Sequence, residues 1–272
     1  MDIYYQNSRG EKLNFNDFPF LMSDMSELMN YSWEYNSSSN SRNRYGRGAS
    51  EIPFSLNITA DTREEYVNAL NRFFEVTEFD TLNETEGRLY FGNQYVLCNL
   101  ISSKNVDWMM GVDYTKKYVN VLVKHPYWIT ESEYIFKTST TTSDKNKRYP
   151  GKYMHRYANG LTDSFIQNNY IYKSNFRMNI YGPVLNPLVI IGGHKYLVYI
   201  YLEEGEYIQI DSKAGIVKKI TRTGEKIEAF DNRAKEESVF MKINPGRNTV
   251  KWSGKFNFDV ILFEERSQPR IV

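Results

Sequence analysis

Apolar and polar residues alternate along much of the chain, most clearly over residues 185–264. In the closing segment, 256–265, the apolar residues that share one face are Phe256, Phe258, Val260 and Leu262. Asn257 and Asp259 lie on the opposite face. A period of two is typical of a strand with one buried and one solvated face. Such strands, separated by glycine turns and with almost no helical pattern, favour a β-sandwich.

Two strand pairs are predicted near the start of the chain. The first is a hairpin within residues 3–20, in which Gly10 supplies the positive φ that a tight turn needs. We expect the second pair to join residues 29–35 to residues 49–58, because the apolar positions in each segment share one face. Three methionines before and within this region, at 22, 25 and 29, fit either the core or a subunit contact.

Residues 36–48, between these two segments, are rich in Ser, Asn, Arg and Gly and cannot contribute to a core. One interpretation is a solvated loop. The other is an arm that reaches a neighbouring subunit, where arginine pairs well with carboxylates. The candidate contact residues on such an arm are Arg42, Arg44, Tyr45 and Arg47.

One amphipathic helix is predicted over about residues 61–76. Thr62 and Glu65 have the spacing of a capping box, as do Asp61 and Glu64. The apolar residues that follow at helical spacing are Tyr66, Val67, Leu70, Phe73 and Phe74. This stripe predicts a helix packed on a sheet.

Further strands are predicted around residues 87–92, 95–101 and 118–124, and then the pattern changes. A polar run without any apolar residue follows, which is typical of a linker. We therefore expect a mainly β chain with two β-sandwich or barrel-like domains. The first domain, 1–137, carries the single helix; the linker is 138–148 and the second domain is 149–272.

Charge and composition exclude several classes of function. The 272 residues include 34 basic and 33 acidic side chains, a net charge of +1, so no strong field would draw the protein to nucleic acid or an anionic membrane. The 22 tyrosines suit either strands or surfaces that become buried on assembly. Cys98 is the single cysteine and is expected to be buried. Neither a signal peptide nor a membrane span is expected.

Candidate catalytic groups are few. The three histidines lack metal-ligand spacing, and neither a Gly-x-Ser-x-Gly sequence nor a phosphate-binding loop occurs. Acidic residues cluster around Gly205 at Glu203, Glu204 and Glu206, with Asp211 beyond. Paired carboxylates of this kind could serve a glycosidase, but turn solvation explains them better. We predict no enzyme, no metal and no cofactor.

An ordered set of short motifs in the last ninety residues resembles the C-terminal domain of phage distal tail proteins. In chain order the motifs are Asn186-Pro187, Gly192-Gly193, Gly205-Glu-Tyr-Ile-Gln-Ile-Asp211, Pro245-Gly-Arg-Asn-Thr-Val-Lys-Trp252 and Glu265-Arg-Ser-Gln-Pro269. The first 140 residues resemble the family more loosely, through their hairpins and single helix. The resemblance implies that the second domain is a galectin-like β-sandwich.

The resemblance also implies a function. Six copies would close a ring through the N-terminal domain, join the tail tube protein to the tail-tip hub protein and leave a channel through which DNA passes. Receptor-binding proteins would be further partners, and the chain would be part of the virion after synthesis in the host bacterial cytoplasm. The alternative is a carbohydrate-binding sandwich for attachment to the host surface. Its candidate stacking residue is Trp252, although alternation with Val250 favours a core position.

Overall fold

Antiparallel strands make up most of the regular structure, as the alternation of apolar residues predicts. The structure is a computed structural model, and it describes residues 2–36, 44–109, 111–138 and 164–271. Two units are formed, one by residues 1–130 with 265–272 and the other by residues 131–264. All but the first residue of the predicted linker lies outside the described residues, so the domain boundaries stay a prediction.

The first unit contains one helix and most of the long strands. Its elements are β1 (Ile3–Gln6), β2 (Lys12–Asn14), β3 (Phe20–Asp24), a short 3₁₀ helix (Ser26–Met29), β4 (Glu34–Asn36), β5 (Arg44–Gly46), β6 (Ser50–Thr59), α1 (Arg63–Leu82), β7 (Gly87–Phe91), β8 (Gln94–Trp108), β9 (Tyr114–Val123) and the start of β10 (Trp128–Phe136). Strand β8 pairs with β7 through residues 94–98 and with β9 through residues 99–108. It also pairs with the start of β10 at residues 94–95, so it contributes to three antiparallel ladders.

The predicted N-terminal hairpin is confirmed. β1 and β2 pair antiparallel around a turn in which Gly10 has φ of 88°. β1 also pairs with β7, so it has a hydrogen-bonded neighbour on each side. Tyr5 is buried in a core that gathers side chains from β1, β6, α1, β7, β8 and β9, including Leu56, Phe73, Leu89 and Val121.

The predicted pairing of residues 29–35 with 49–58 is wrong. β6 pairs with β3 and with β9, while β4 pairs with β5. The buried face predicted for β6 is confirmed at Phe54, Leu56 and Ile58. Alternation identifies the face that a strand buries, but it carries no information about which distant strand supplies the hydrogen bonds.

The helix is confirmed at its start and is longer than predicted. The Thr62 hydroxyl accepts a hydrogen bond from the Glu65 N–H at 3.3 Å, which caps α1. The helix continues to Leu82. Its buried residues are Tyr66, Ala69, Phe73, Val76, Thr77 and Asp80. Val67 and Phe74 of the predicted stripe are exposed, because each lies about 100° around the helix from the core positions that precede them.

A buried carboxylate joins α1 to the first hairpin. Asp80 accepts hydrogen bonds from the Tyr5 hydroxyl at 2.7 Å, the Ser8 N–H at 3.0 Å and the Thr85 hydroxyl at 2.9 Å. Burial opposes its ionisation, but these hydrogen bonds outweigh burial and hold the pKa of Asp80 below its ordinary value. Gly87 is needed beside the cluster, since a Cβ there would lie 2.1 Å from the Tyr5 oxygen.

Cys98 is fully buried in the same core, as expected. Burial raises the pKa of the Cys98 thiol to about 12. The thiolate is the reactive form of cysteine, so this side chain is an inert core group at neutral pH.

The second unit is a β-sandwich, which confirms the predicted fold class. Its elements are the end of β10, β11 (Ser164–Asn168), β12 (Asn175–Tyr181), β13 (Val184–Leu185), β14 (Leu188–Ile191), β15 (His194–Leu197), β16 (Tyr201–Leu202), β17 (Tyr207–Asp211), β18 (Ile216–Ile220), β19 (Lys226–Glu228), a 3₁₀ turn (Phe230–Asn232), β20 (Gly246–Trp252) and β21 (Phe258–Arg266). One layer has the order β19-β18-β17-β12-β21 and the other β11-β20-β14-β15.

The two layers of the second unit share one core. Met178, Ile208 and Val260 come from the first layer, and Val189 and Val250 come from the second. All five side chains are fully buried. The alternation predicted for the closing strand is therefore confirmed on its apolar face. Whether this sandwich is galectin-like in detail stays a prediction.

Candidate assembly surfaces

A groove in the first unit lies between the C-terminal half of α1 and strands β8 and β9. It encloses about 490 Å³. The apolar side chains that line it are Leu70, Phe73, Phe74, Leu82, Leu100 and Ile101. Phe74 is 59% exposed and Leu82 is 75% exposed. Beside its buried stripe, α1 presents a second strip that is open to solvent. This strip contains Leu70, Phe74 and Thr81, each of which follows a core residue of α1 by one position. We call this surface the helix groove.

Charged and polar groups border the helix groove. Glu78 and Lys117 are among its lining residues, and exposed Glu75 lies one residue beyond Phe74 on α1. The Lys117 ammonium donates a hydrogen bond to the Asn105 side chain at 2.7 Å, and burial lowers the pKa of Lys117. The groove is thus an apolar surface with a polar rim, a combination that marks protein interaction sites.

Beside the helix groove, β8 and β9 run in one sheet with β6, which pairs with β9 over residues 114–123. The ladder of β8 with β9 runs to the pair of Trp108 with Thr115, and it is interrupted by irregularities in register at residues 100–102 and 105–107. At the end, Val106, Met109 and Val112 are exposed, Met109 by 68%. We call residues 106–109 with 111–112 the hairpin tip.

The base of the hairpin tip is fixed to the rest of the unit. The Asp113 carboxylate pairs with Arg63 at 3.0 Å, and the Asp113 carbonyl oxygen accepts hydrogen bonds from the Ala60 N–H and the Thr59 hydroxyl. These contacts hold the turn against the end of β6 and the start of α1, while the apolar side chains of the hairpin tip are exposed. Sequence reasoning missed both surfaces, although Phe74, an apolar residue beside the core stripe of α1, was a signal for the helix groove.

The arginine-rich segment is partly described. Arg42 lies outside the described residues, and Arg44 is in β5, where its backbone pairs with Asn36. Tyr45 is 69% exposed and packs against the ring of Tyr35. The predicted subunit contact through these residues stays a prediction.

Arg47 is held within its own unit. Its guanidinium donates hydrogen bonds to the carbonyl oxygens of Pro126 and Ser267, and it lies 5.3 Å from the ring centre of Tyr127. Burial lowers the pKa of Arg47. Of the four candidate contact residues, Tyr45 is therefore the one whose described side chain is open to a partner.

Trp252 belongs to the core of the second unit. It is 2% exposed, and its indole N–H donates to the Phe256 carbonyl at 3.2 Å. The rings of Phe136 and Phe258 pack edge-on against it. Stacking of a sugar on Trp252 stays a prediction of the alternative function, and it would require the indole to become exposed.

The acidic turn considered for glycoside hydrolysis has ordinary structural roles. The Glu206 carboxylate accepts from the Glu203 N–H at 2.8 Å and pairs with Lys219 at 2.6 Å, and these contacts lower the pKa of Glu206. Asp211 pairs with Arg177. A general acid for glycoside cleavage needs a raised pKa, so Glu206 is not prepared for that role.

Another buried carboxylate lies on the sheet of the second unit. Asp259 of β21 accepts hydrogen bonds from Asn179 at 2.8 Å and from the Tyr181 hydroxyl at 2.5 Å, both on β12. Gln209 of β17 donates to the Asn179 side chain. Burial, and then the bond to Asp259, raise the pKa of Tyr181, so Tyr181 remains a neutral donor. The network joins neighbouring strands and includes no nucleophile.

Within the described ranges, no group of three or more His, Cys, Asp or Glu side chains could hold a metal ion. Among those same residues, no helix combines the length and apolar composition that a membrane span requires.

Comparisons with known proteins give the fold. Against models of known protein families the sequence has no match, and no curated protein matches it in sequence. Several solved structures match, and three of them match along almost the whole chain. The Dit protein of phage SPP1, described as a paradigm of the hub adsorption apparatus in phages infecting Gram-positive hosts, is 10% identical, with a TM-score of 0.58 over 97% of this chain and 98% of Dit.

The other two structures are chains of the phage P2 baseplate in its activated conformation. The structure with Ca is 11% identical, with a TM-score of 0.63 over 99% of this chain and 100% of the matched chain. The structure with Sr is 11% identical, with a TM-score of 0.62 over 98% and 99%. At these identities the likeness concerns the fold. The resemblance to phage distal tail proteins, based on short motifs in the sequence, is thus confirmed at that level: the chain has the fold of phage Dit and baseplate proteins.

Proposed function

We propose that the protein is a structural component of a phage tail, in which six copies form a ring at the distal end. The observation that carries this proposal is the extent of the fold match. The SPP1 Dit protein and the P2 baseplate chains match through both units and over nearly their full lengths. A β-sandwich alone occurs in many unrelated proteins, but both units in one order along one chain are a far more specific pattern.

In the proposed assembly, the ring joins the tail tube protein to the tail-tip hub protein and holds receptor-binding proteins. The N-terminal domain forms the ring, and DNA passes through its channel. The near-neutral charge suits a channel that must not retain DNA, because affinity for the phosphate backbone depends on clustered lysine and arginine. The protein would accordingly be found in the virion after synthesis in the host cytoplasm.

The same proposal assigns no catalytic activity. Of the carboxylates that the sequence offered to a glycosidase, Glu206 and Asp211 are engaged in ion pairs, and the pKa of Glu206 is lowered rather than raised. In this proposal, the role of the protein is to bind other proteins and copies of itself.

Native mass spectrometry of the purified protein, alone and with the tail tube protein, tests the ring. We expect a six-copy species, and class averages from cryo-electron microscopy with sixfold symmetry. In assembled tails, density for the chain should form an annulus at the end of the tube. A single copy per tail, or density at another position, would contradict the proposed function.

A further inference from the structure

A cleft of the second unit lies on the outer face of the β11-β20-β14-β15 layer. Its floor is formed by Leu188 and Ile190, which alternate with buried residues of β14 and therefore face away from the core. One wall is formed by residues 183–186 and the other by residues of the segment 251–256. The cleft encloses about 430 Å³, within the range of about 300–1,000 Å³ that is typical of ligand sites. We call it the sandwich cleft.

Hydrogen bonds fix both walls of the sandwich cleft. In the first wall, β13 pairs with β16, and the Asn186 N–H donates to the Ile200 carbonyl at 2.8 Å. In the second wall, the Trp252 indole N–H donates to the Phe256 carbonyl at 3.2 Å, which closes the turn between these residues. A site that is already formed loses less binding energy to ordering when a partner enters it.

Two lysines and several aliphatic side chains give the cleft its chemistry. Lys251 and Lys255 are exposed lining residues, and no aspartate or glutamate among the described residues lines the cleft. Neither lysine has an ion-pair partner within the part of the chain that the structure describes. Leu185 is 67% exposed, and Ile190 is the strand partner of Lys251. The cleft thus combines an apolar floor with positive charge along one wall.

We propose that the sandwich cleft binds an extended acidic segment of another protein. An aliphatic side chain of the segment covers Leu188 and Ile190, and carboxylates of the same segment pair with Lys251 and Lys255. Covering apolar surface contributes about 25 cal/mol for each Å² removed from water, while the ion pairs select the segment. The site belongs to the second unit and does not depend on the ring proposed for the first.

The lining residues favour a protein segment over other anionic partners. Sugar rings and unpaired nucleic-acid bases both stack on exposed aromatic side chains. The aromatic residues that line this cleft, Trp252 and Phe256, are only 2% and 4% exposed. A lipid bilayer presents a broad surface that cannot follow a recessed floor. Side chains of an extended segment can reach such a floor, as they do in other peptide grooves.

Charges beyond the cleft set the direction of the segment. Glu203 and Glu204 follow β16, the strand partner of β13, and they are exposed without lining the cleft. They repel a carboxylate on the β13 side, whereas the two lysines attract one on the β20 side. Two further carboxylates nearby, Glu206 and Glu237, are paired with lysines and add no net charge. The acidic residues of the segment therefore lie on the β20 side, and its other flank is neutral or basic.

Selection from a library of short random peptides on the immobilised full-length protein tests the site. A parallel selection uses Lys251→Glu with Lys255→Glu, and because both side chains are exposed, folding is expected to persist. We expect the wild-type protein to enrich peptides that carry an aliphatic residue with carboxylates on one flank. Fluorescence anisotropy of the best such peptide should show binding at least about tenfold weaker to the variant, and weaker binding to the wild type at higher salt.

The matched control is Lys173→Glu with Lys242→Glu, which makes the same change of charge at exposed positions outside the cleft and should leave peptide binding unchanged. Circular dichroism checks the fold. If charge reversal disturbs it, Lys251→Ser with Lys255→Ser is used, for which we expect a smaller but measurable loss of affinity.

Three results would overturn the inference. They are a selection that enriches no acidic peptide, binding that the double variant retains, and binding of anionic oligosaccharides or phosphatidylglycerol vesicles through the same lysines in place of a peptide. Each of these would leave the proposed ring standing. A chain that binds acidic peptides in the cleft but forms no ring would count against the proposed function alone.

Discussion

The two units each bury a hydrogen-bonded carboxylate, but they use it differently. In the first unit, Asp80 joins a helix to a strand and to the turn that follows the strand. A helix and a strand cannot share a backbone ladder, so side chains must supply the polar contacts between them. In the second unit, Asp259 joins β21 to β12, which are already paired by their backbones. We therefore expect a buried carboxylate to contribute more to stability where no ladder exists than where one does.

The largest expected effect is that of Asp80→Ala. Three donors lose their acceptor in a buried site, so we expect the free energy of unfolding of the first unit to fall by about 3–5 kcal/mol. Hydrogen exchange followed by mass spectrometry should show faster exchange in β1 and α1 and unchanged exchange in β12 and β21. The control is Asp113→Ala, which removes an exposed ion pair and should cost about 1 kcal/mol or less.

A smaller loss is expected from Asp259→Ala in the second unit. Asn179 and Tyr181 lose a charged acceptor, at a cost of about 1–3 kcal/mol, while the ladder between β12 and β21 persists. Urea unfolding monitored by exchange in β12 peptides measures it. A loss equal to that of Asp80→Ala would contradict the distinction between the two carboxylates.

Removal of single hydroxyls sharpens the comparison further. Tyr5→Phe deletes one fully buried donor to Asp80 and should cost about 1–2 kcal/mol, whereas Tyr181→Phe deletes a partly exposed donor to Asp259 and should cost about 0.5–1 kcal/mol. The rings stay in place in both variants, so the difference isolates the hydroxyls. Equal shifts of the urea midpoint in the two variants would indicate that burial of the hydroxyl does not determine how much it contributes to stability.

The smallest effect, absent at neutral pH, is on acid stability. The folded-state pKa of Asp80 lies below its unfolded value, so its contribution is fully present above the unfolded pKa of about 4 and is lost as pH falls through the folded pKa. We expect the unfolding free energy of the first unit to decline below about pH 4. Asp80→Asn should show a shallower decline over the same range. An identical slope in wild type and variant would assign the acid sensitivity to other groups.

Local features of the fold were predictable from the sequence. The turn at Gly10, the cap at Thr62 and the buried face of the closing strand each depend on residues close together in the chain. The partners of β6 were not predictable in this way, because pairing with β3 and β9 depends on contacts between distant segments.

The extent of α1 shows a second limit. Its last turns bury Thr77 and Asp80, which a search for apolar stripes does not select. The Thr77 hydroxyl bonds the Phe73 carbonyl, and Asp80 depends on Tyr5, a residue far away in the sequence. The helix groove and the hairpin tip were missed for a related reason. The exposed apolar residues of α1 and β8 are far apart in the sequence, and they form one surface only because the fold brings the helix beside the strand.

The unreactive state of the one cysteine makes this chain convenient for optical work. Thiol-directed dyes would not modify Cys98, because its sulfur is enclosed in the core and remains protonated at the pH of labelling. A reporter cysteine placed on the surface could be labelled without first replacing the native one. Energy transfer between differently labelled copies would then follow subunit joining in real time, on an otherwise unaltered polypeptide.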